Sequence, residues 1–164
     1  MNLKCTGYFL DKHSSKKLLN FLSYCLYPPT IFTGPFISIN DYLNIYNSTA
    51  VPFWKRVQKL ILNLGGCIFW YTLTNFCLHY IYVNATSYQP QLVKHFDSWS
   101  LYGYGYAMGQ FFHIKYVVLY GLSTSFASFE NVNVPHLPRC IGRIHLYSDM
   151  WKYFDPGLYK FLLR

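Results

Sequence analysis

The chain has 164 residues, of which 52% are hydrophobic, 21% aromatic and 12% charged, with a formal net charge of +8. That charged share is about half the ~25% usual for soluble domains, and so short a soluble domain lacks the interior to hide so much apolar surface. Mean hydropathy is only +0.12, because Tyr, Asn and polar loops dilute the average, so the individual segments carry the assignment.

Residues 1–17, "MNLKCTGYFLDKHSSKK", lack the charged-then-apolar-then-small order of a secretory signal. Leu18 to Ile39 contains no Lys, Arg, Asp or Glu. It reaches the ~20 residues that a bilayer span requires. Pro28, Pro29, Gly34 and Pro35 interrupt it. Proline removes a backbone donor and clashes with the preceding turn, and broken backbone at membrane depth survives only when buried in protein or lining a cavity. The prediction for 18–39 is a short helix, a broken or re-entrant turn and a short continuation.

Residues 60–83, "LILNLGGCIFWYTLTNFCLHYIYV", again lack all four charged types and predict a spanning helix. Gly65 and Gly66 would let a neighbouring helix approach closely. A third segment, about 98–129, has Lys115 as its only charged residue and predicts a second spanning helix. Its Gly105 and Gly109 form a G-x-x-x-G pair, read as helix packing. Residues 144–164 are apolar but carry Asp149, Lys152, Asp155 and Lys160, which suits interfacial or tunnel-facing helices. The expected fold is all-α, one polytopic bundle over 1–164.

The basic residues predict orientation. Lys12, Lys16 and Lys17 precede the first segment, Lys55, Arg56 and Lys59 the second, and Arg139 and Arg143 follow the third. Lys94 is alone in the loop 84–97. The positive-inside rule puts 55–59 and 130–143 in the cytoplasm and 84–97 across the membrane. The surplus of positive charge then reads as topology and calls for no nucleic acid. Two sequons, at Asn47 and Asn84, fall with the cytoplasmic cluster and against a helix end respectively, and neither is expected to be glycosylated.

The five cysteines (Cys5, Cys25, Cys67, Cys77, Cys140) form no C-x-x-C pair, so neither a zinc site nor a disulfide scaffold is indicated. There is no G-x-S-x-G elbow, P-loop or H-E-x-x-H, no internal repeat and no low-complexity tract. What remains is polar groups in apolar surroundings, which are functional candidates because ionisable groups are costly at membrane depth. Gln110 and His113 share a helix face, with Lys115 nearby. They either satisfy one another or line a substrate path. Asp155 precedes Pro156, a pairing that starts a helix by capping it. Trp151, four residues earlier, shares its face if the intervening turn is helical. Cys140, in "HLPRCIG", reads by itself as a small buried thiol.

"YPPTIFTGPFISINDY" at 27–42 resembles the Pro-Gly-Pro stretch of the membrane-bound O-acyltransferase superfamily. Residues 106–164, with Pro-Arg-Cys followed by Met-Trp-x-Tyr-Phe-Asp-x-Gly-Leu, resemble its hedgehog-acyltransferase branch. The resemblance covers roughly 18–164. It implies a bundle of transmembrane helices around a tunnel, in the endoplasmic reticulum or Golgi membrane. It implies palmitoyl-CoA as acyl donor and the N-terminal cysteine amine of a secreted signalling protein as acceptor. On the matching positions, Asp155 is the catalytic carboxylate, Trp151 a tunnel residue beside it and Cys140 a haem-iron ligand. The family's essential His lies beyond the Asp, and no His follows Asp155 in this sequence, so the chain is expected to be a fragment inactive by itself. A non-catalytic relative or a multi-pass scaffold protein are the alternatives.

The topology has a direct check. Single cysteines at positions 94 and 139, probed in sealed microsomes with a membrane-impermeant thiol reagent, are expected to react from opposite sides. Reaction of both from one side would overturn the orientation and the spans between them.

Overall fold

The computed structural model describes residues 2–10, 18–47 and 51–163. Lys12, Lys16 and Lys17 lie outside the described residues, as do Ser48 and Thr49 of the first sequon. In chain order come α1 (Asn2–Leu10), α2 (Leu18–Cys25), α3 (Ile39–Leu43), α4 (Phe53–Tyr80), α5 (Val83–Ser87), α6 (Pro90–Val93), α7 (Ser98–Phe129), α8 (Tyr147–Phe154) and α9 (Pro156–Leu162). The fold is all-α, with no strand among the described residues.

The broken segment forms as its prolines and glycine dictate. α2 stops before Tyr27, which must leave helical ψ because a proline follows it, and Pro28–Thr30 makes one 3₁₀ turn. Gly34 then takes φ +134°, a conformation L side chains rarely adopt, and a Cβ there would stand 2.9 Å from Ser123 Cβ. Residues 35–38 run without helix until the Ser38 hydroxyl caps α3 by accepting from Asp41 N at 3.2 Å.

This segment is buried in protein. Pro35 and Ile39 are fully buried and Ile37 nearly so. Its carbonyls find donors outside the segment or earlier in it. Ser123 Oγ of α7 donates to Thr33 O at 2.8 Å, and Tyr24 Oη donates to Ile37 O at 2.6 Å. Tyr27 Oη donates to Glu130 just past α7. Irregular backbone in an apolar solvent needs this accounting.

Two small cores result. Tyr8, Tyr24, Cys25 and Ile39 join α1, α2 and α3, while Tyr27, Ile37, Ala127 and Val132 seat the broken segment on the end of α7. Lys4 is buried at the rim of the first. Its Nζ donates to Thr30 Oγ1 at 2.6 Å and lies 5.5 Å from the Tyr24 ring centroid. Burial pushes the Lys4 pKa below its ordinary value.

α4 packs on α7 more extensively than any other two elements pack. Their closest seat is Cys67 against Gly121, where an added Cβ would stand 2.6 Å from the sulfur. That approach was expected at Gly65, Gly66 and Gly105, yet all three face open space. α4 also starts earlier and stops sooner than 60–83. Pro52 precedes its first turn, so Lys55, Arg56 and Lys59 are helical, and Ile81 turns extended at the other end. By length and composition α4 can cross a membrane, and large side chains along it such as Ile61, Leu62, Ile68, Phe69 and Phe76 are exposed. An apolar belt of this kind suits lipid and not water. α7 ends in a Schellman closure: Asn131 sits at φ 68° and Val132 N donates to Ala127 O at 3.0 Å.

The last segment resolves into two short helices, α8 and α9, meeting at Asp155. α9 docks on the broken segment through Gly157, where any Cβ would run into the backbone carbonyl of Phe36. The Phe36 ring packs on Phe161 at 4.9 Å between centroids, and its far side meets Gly7 of α1.

Gly157→Ala should therefore lower stability by about 1–3 kcal/mol, since the obstacle is backbone and cannot rotate away. Gly7→Ala should cost less, because it meets only the tip of the Phe36 ring. Thermal denaturation in detergent checks this, and equal stability of Gly157→Ala and the parent would rule out the tight dock.

Candidate active site

Asp155 stands where α8 ends and α9 begins. Pro156 has no N–H and disfavours helical backbone in the residue before it, so Asp155 swings to φ −133°, ψ 85°. Its Oδ1 accepts from Leu158 N at 2.9 Å and caps α9. Its Oδ2 accepts from Tyr120 Oη at 3.0 Å. The capping reading is thus correct for one oxygen, while the other is held by a residue of α7 35 positions away in sequence.

Tyr120 is placed by an aromatic ladder along one face of α7. Phe112, Tyr116 and Tyr120 recur every four residues, the spacing that stacks side chains on a helix. Tyr116 meets Tyr120 edge-on at 5.5 Å and Phe154 at 5.1 Å. Phe112 stacks on Phe154 at 5.6 Å with an interplanar angle of 14°. Phe154 thereby fixes the end of α8, and with it the residue that follows. Tyr120 was absent from the sequence-derived candidates, although the four-residue aromatic spacing marks its face. The arrangement leaves a partly buried carboxylate with both oxygens oriented and lone pairs to spare for a further N–H donor.

Trp151 is on α8 but is 61% exposed, its ring 6.4 Å from Tyr147. The turn between Trp151 and Asp155 is helical up to Phe154, and Asp155 itself leaves helical backbone. Trp151 lines none of the described cavities. Beside it, Lys152 Nζ meets Asp149 Oδ1 at 3.2 Å, and that contact raises the Lys152 pKa.

Cys140 lies in the connection between α7 and α8. Arg139 N donates to Tyr153 O at 3.3 Å and its guanidinium sits 4.0 Å over the Tyr153 ring, tying this loop to α8. Cys140 is exposed and its thiol is free, which corrects the expectation of a buried thiol. A single axial thiolate needs an accessible sulfur, and Cys140 offers one. No group of three His, Cys, Asp or Glu clusters among the described residues, so a multi-ligand metal centre has no support there. At Gly142 an added Cβ would lie 3.3 Å from Tyr106 Oη, 3.8 Å from Gln110 Nε2 and 3.9 Å from Cys140 Sγ. Gln110 Nε2 and His113 Nδ1 are buried without partners, so these atoms do not satisfy one another.

Two cavities flank this region. A polar cleft of about 320 Å³ includes Ser38, Asp41, Asn133, His136, Gly157 and Lys160. There Asn133 Nδ2 donates to Asp41 Oδ1 at 3.1 Å, across 92 residues of sequence. A larger apolar groove of about 680 Å³ runs between α4 and α7.

The family model of the membrane-bound O-acyltransferases matches residues 9–164. The protein-cysteine N-palmitoyltransferase Rasp of Drosophila melanogaster is 39% identical over 99% of this chain and 33% of its own length. The mouse protein-cysteine N-palmitoyltransferase HHAT is 28% identical over 87% of this chain and 29% of its own. The mouse HHAT-like protein is 20% identical over 99% of the chain. The chain spans about a third of the length of these relatives.

Proposed function

The chain belongs to the membrane-bound O-acyltransferase family, and on that premise we propose that it forms the Asp-bearing part of a multi-pass palmitoyltransferase. The acyl donor is palmitoyl-CoA, and the acceptor is the N-terminal cysteine amine of a secreted protein of the hedgehog type. The membrane is that of the endoplasmic reticulum or Golgi. The observation that carries this reading is the Asp155 carboxylate, held from two sides by α9 and α7 within the stretch matched by the family model and by the Drosophila palmitoyltransferase.

In the reaction the amine nitrogen attacks the thioester carbonyl, an amide C–N bond forms, the C–S bond breaks, and CoA leaves as the thiol carrying the proton. Asp155 is the catalytic carboxylate: its free lone pairs accept from the attacking amine or from an imidazole N–H brought beside it. Tyr120 fixes that carboxylate in direction. The ladder of Phe112, Tyr116 and Phe154 excludes water on the same side, which strengthens every polar contact made there. Trp151, exposed on α8, is proposed as a tunnel residue.

Haem is the proposed cofactor, and Cys140 would hold its iron, on the support of an exposed free thiol in a loop anchored at Arg139. Bound there, it would tie the loop to the cofactor through the thiolate.

Asp155→Asn separates cap from chemistry in a full-length parent protein. Asn still caps a helix, so thermal stability should hold while palmitoyl transfer to a peptide with an N-terminal Cys falls about 100-fold or more. Normal turnover would exclude a required carboxylate.

Cys140→Ala should abolish thiolate-haem absorbance in the purified parent protein. An unchanged spectrum would remove the haem assignment and leave an accessible thiol.

A further inference from the structure

The groove between α4 and α7 is unused by the reaction above. Cys67, Tyr71 and Asn75 line it from α4, and Phe111, Lys115 and Val118 from α7. None of Trp151, Asp155 and Cys140 reaches it. Lys115 and Tyr120 are five residues apart, about 140° around the helix, and of the aromatic ladder beside Asp155 only Phe112 also lines the groove. The volume of about 680 Å³ is that of a small-molecule cleft.

Lys115 is the anomaly in its wall. It stands about 26 Å from the start of α7 and about 21 Å from its end at 1.5 Å per residue. α7 is about 48 Å long, so if it crosses at its middle Lys115 stands near the centre of a ~30 Å hydrocarbon core, beyond its stem's reach of either interface. A cation there needs an anion. The sequence holds six Asp and Glu, and none lines the groove. Asp41 meets Asn133, Asp149 meets Lys152, Asp155 meets Tyr120, and Glu130 meets Tyr27. Asp97 stands at the far start of α7, and Asp11 lies outside the described residues. Lys115 has no hydrogen-bond or ion-pair partner among the described residues.

We infer that this groove binds a long-chain fatty acid, its carboxylate on the Lys115 ammonium and its chain along the apolar walls. A phospholipid carries its phosphate at the interface, far from Lys115, and brings two chains. A fatty acid has one chain and a compact head with two acceptor oxygens, one for the ammonium of α7 and one for the Asn75 amide in the facing wall. In a bilayer the hydrocarbon is in apolar surroundings bound or free, so burying it contributes little. The charged end must supply the selectivity, and this decides how the site is tested.

The inference rests on α7 crossing the membrane, which the labelling at positions 94 and 139 checks separately. The full-length parent protein in phosphatidylcholine nanodiscs is irradiated with a C16 fatty acid bearing a diazirine. Saturable labelling is expected in the peptides that hold residues 67–78 or 108–122. Excess palmitic acid should compete and hexadecanol should not. Lys115→Met should reduce labelling about tenfold or more, as for a lost charge-assisted hydrogen bond. Lys115→Arg and the remote Lys94→Met should retain it. Equal competition by hexadecanol, undiminished labelling of Lys115→Met, or no saturable labelling would each overturn the site. The competition arm needs no variant, so misfolding of Lys115→Met leaves the test decisive. Absent labelling with Lys115→Met also unstable would point to an acidic transmembrane segment as the occupant.

Discussion

The backbone from Thr33 to Ile37 has no regular partner of its own, and most of the architecture is a response to that. A proline-broken stretch cannot satisfy its carbonyls internally, so they are met from elsewhere. Ser123 supplies one donor and Tyr24 another. The bare surfaces of Gly7 and Gly157 let α1 close on the ring of Phe36 and α9 on its peptide. Three elements far apart in sequence thereby share one short segment as their common contact.

The same closure positions the carboxylate. α9 can press on Phe36 only because residue 157 has no side chain, and the residue two before it ends α8 and caps α9. The motif Asp-Pro-Gly thus combines three demands: an acceptor to cap, a ring to break, and a gap to dock. The second oxygen, which capping leaves free, is the one the proposed chemistry would use. Tyr120 takes hold of it, and the ring contacts from Phe112 to Phe154 keep that hold in register. A cap and a functional acid are therefore compatible roles for one residue.

Much of this was legible in the sequence, and for physical reasons. Charge-free stretches, clustered basic residues and prolines act locally, so the helices and the broken segment followed from composition and spacing. The Asp-Pro junction named its own cap. Glycine function did not follow, because a glycine reports only that space is needed and not who takes it. Gly65, Gly66 and Gly105 face open space, while Gly121 and Gly157 carry the contacts. Tyr120, Ser123 and the Asn133–Asp41 pair were equally hidden, since each partner lies dozens of residues away. The roles of Asp155, Trp151 and Cys140 came from resemblance, and spacing alone left each of them open.

Ser123 follows Thr33 by 90 residues, and this orders events during synthesis. When the Pro-Gly stretch leaves the ribosome, its donor in α7 has not been made. The unsatisfied carbonyl of Thr33 keeps water until then, so the segment must wait at the bilayer surface. It can sink to its final depth only after α7 is in place. Where the first and third apolar segments both enter the bilayer, entry of the first waits on the third, out of the order of the sequence.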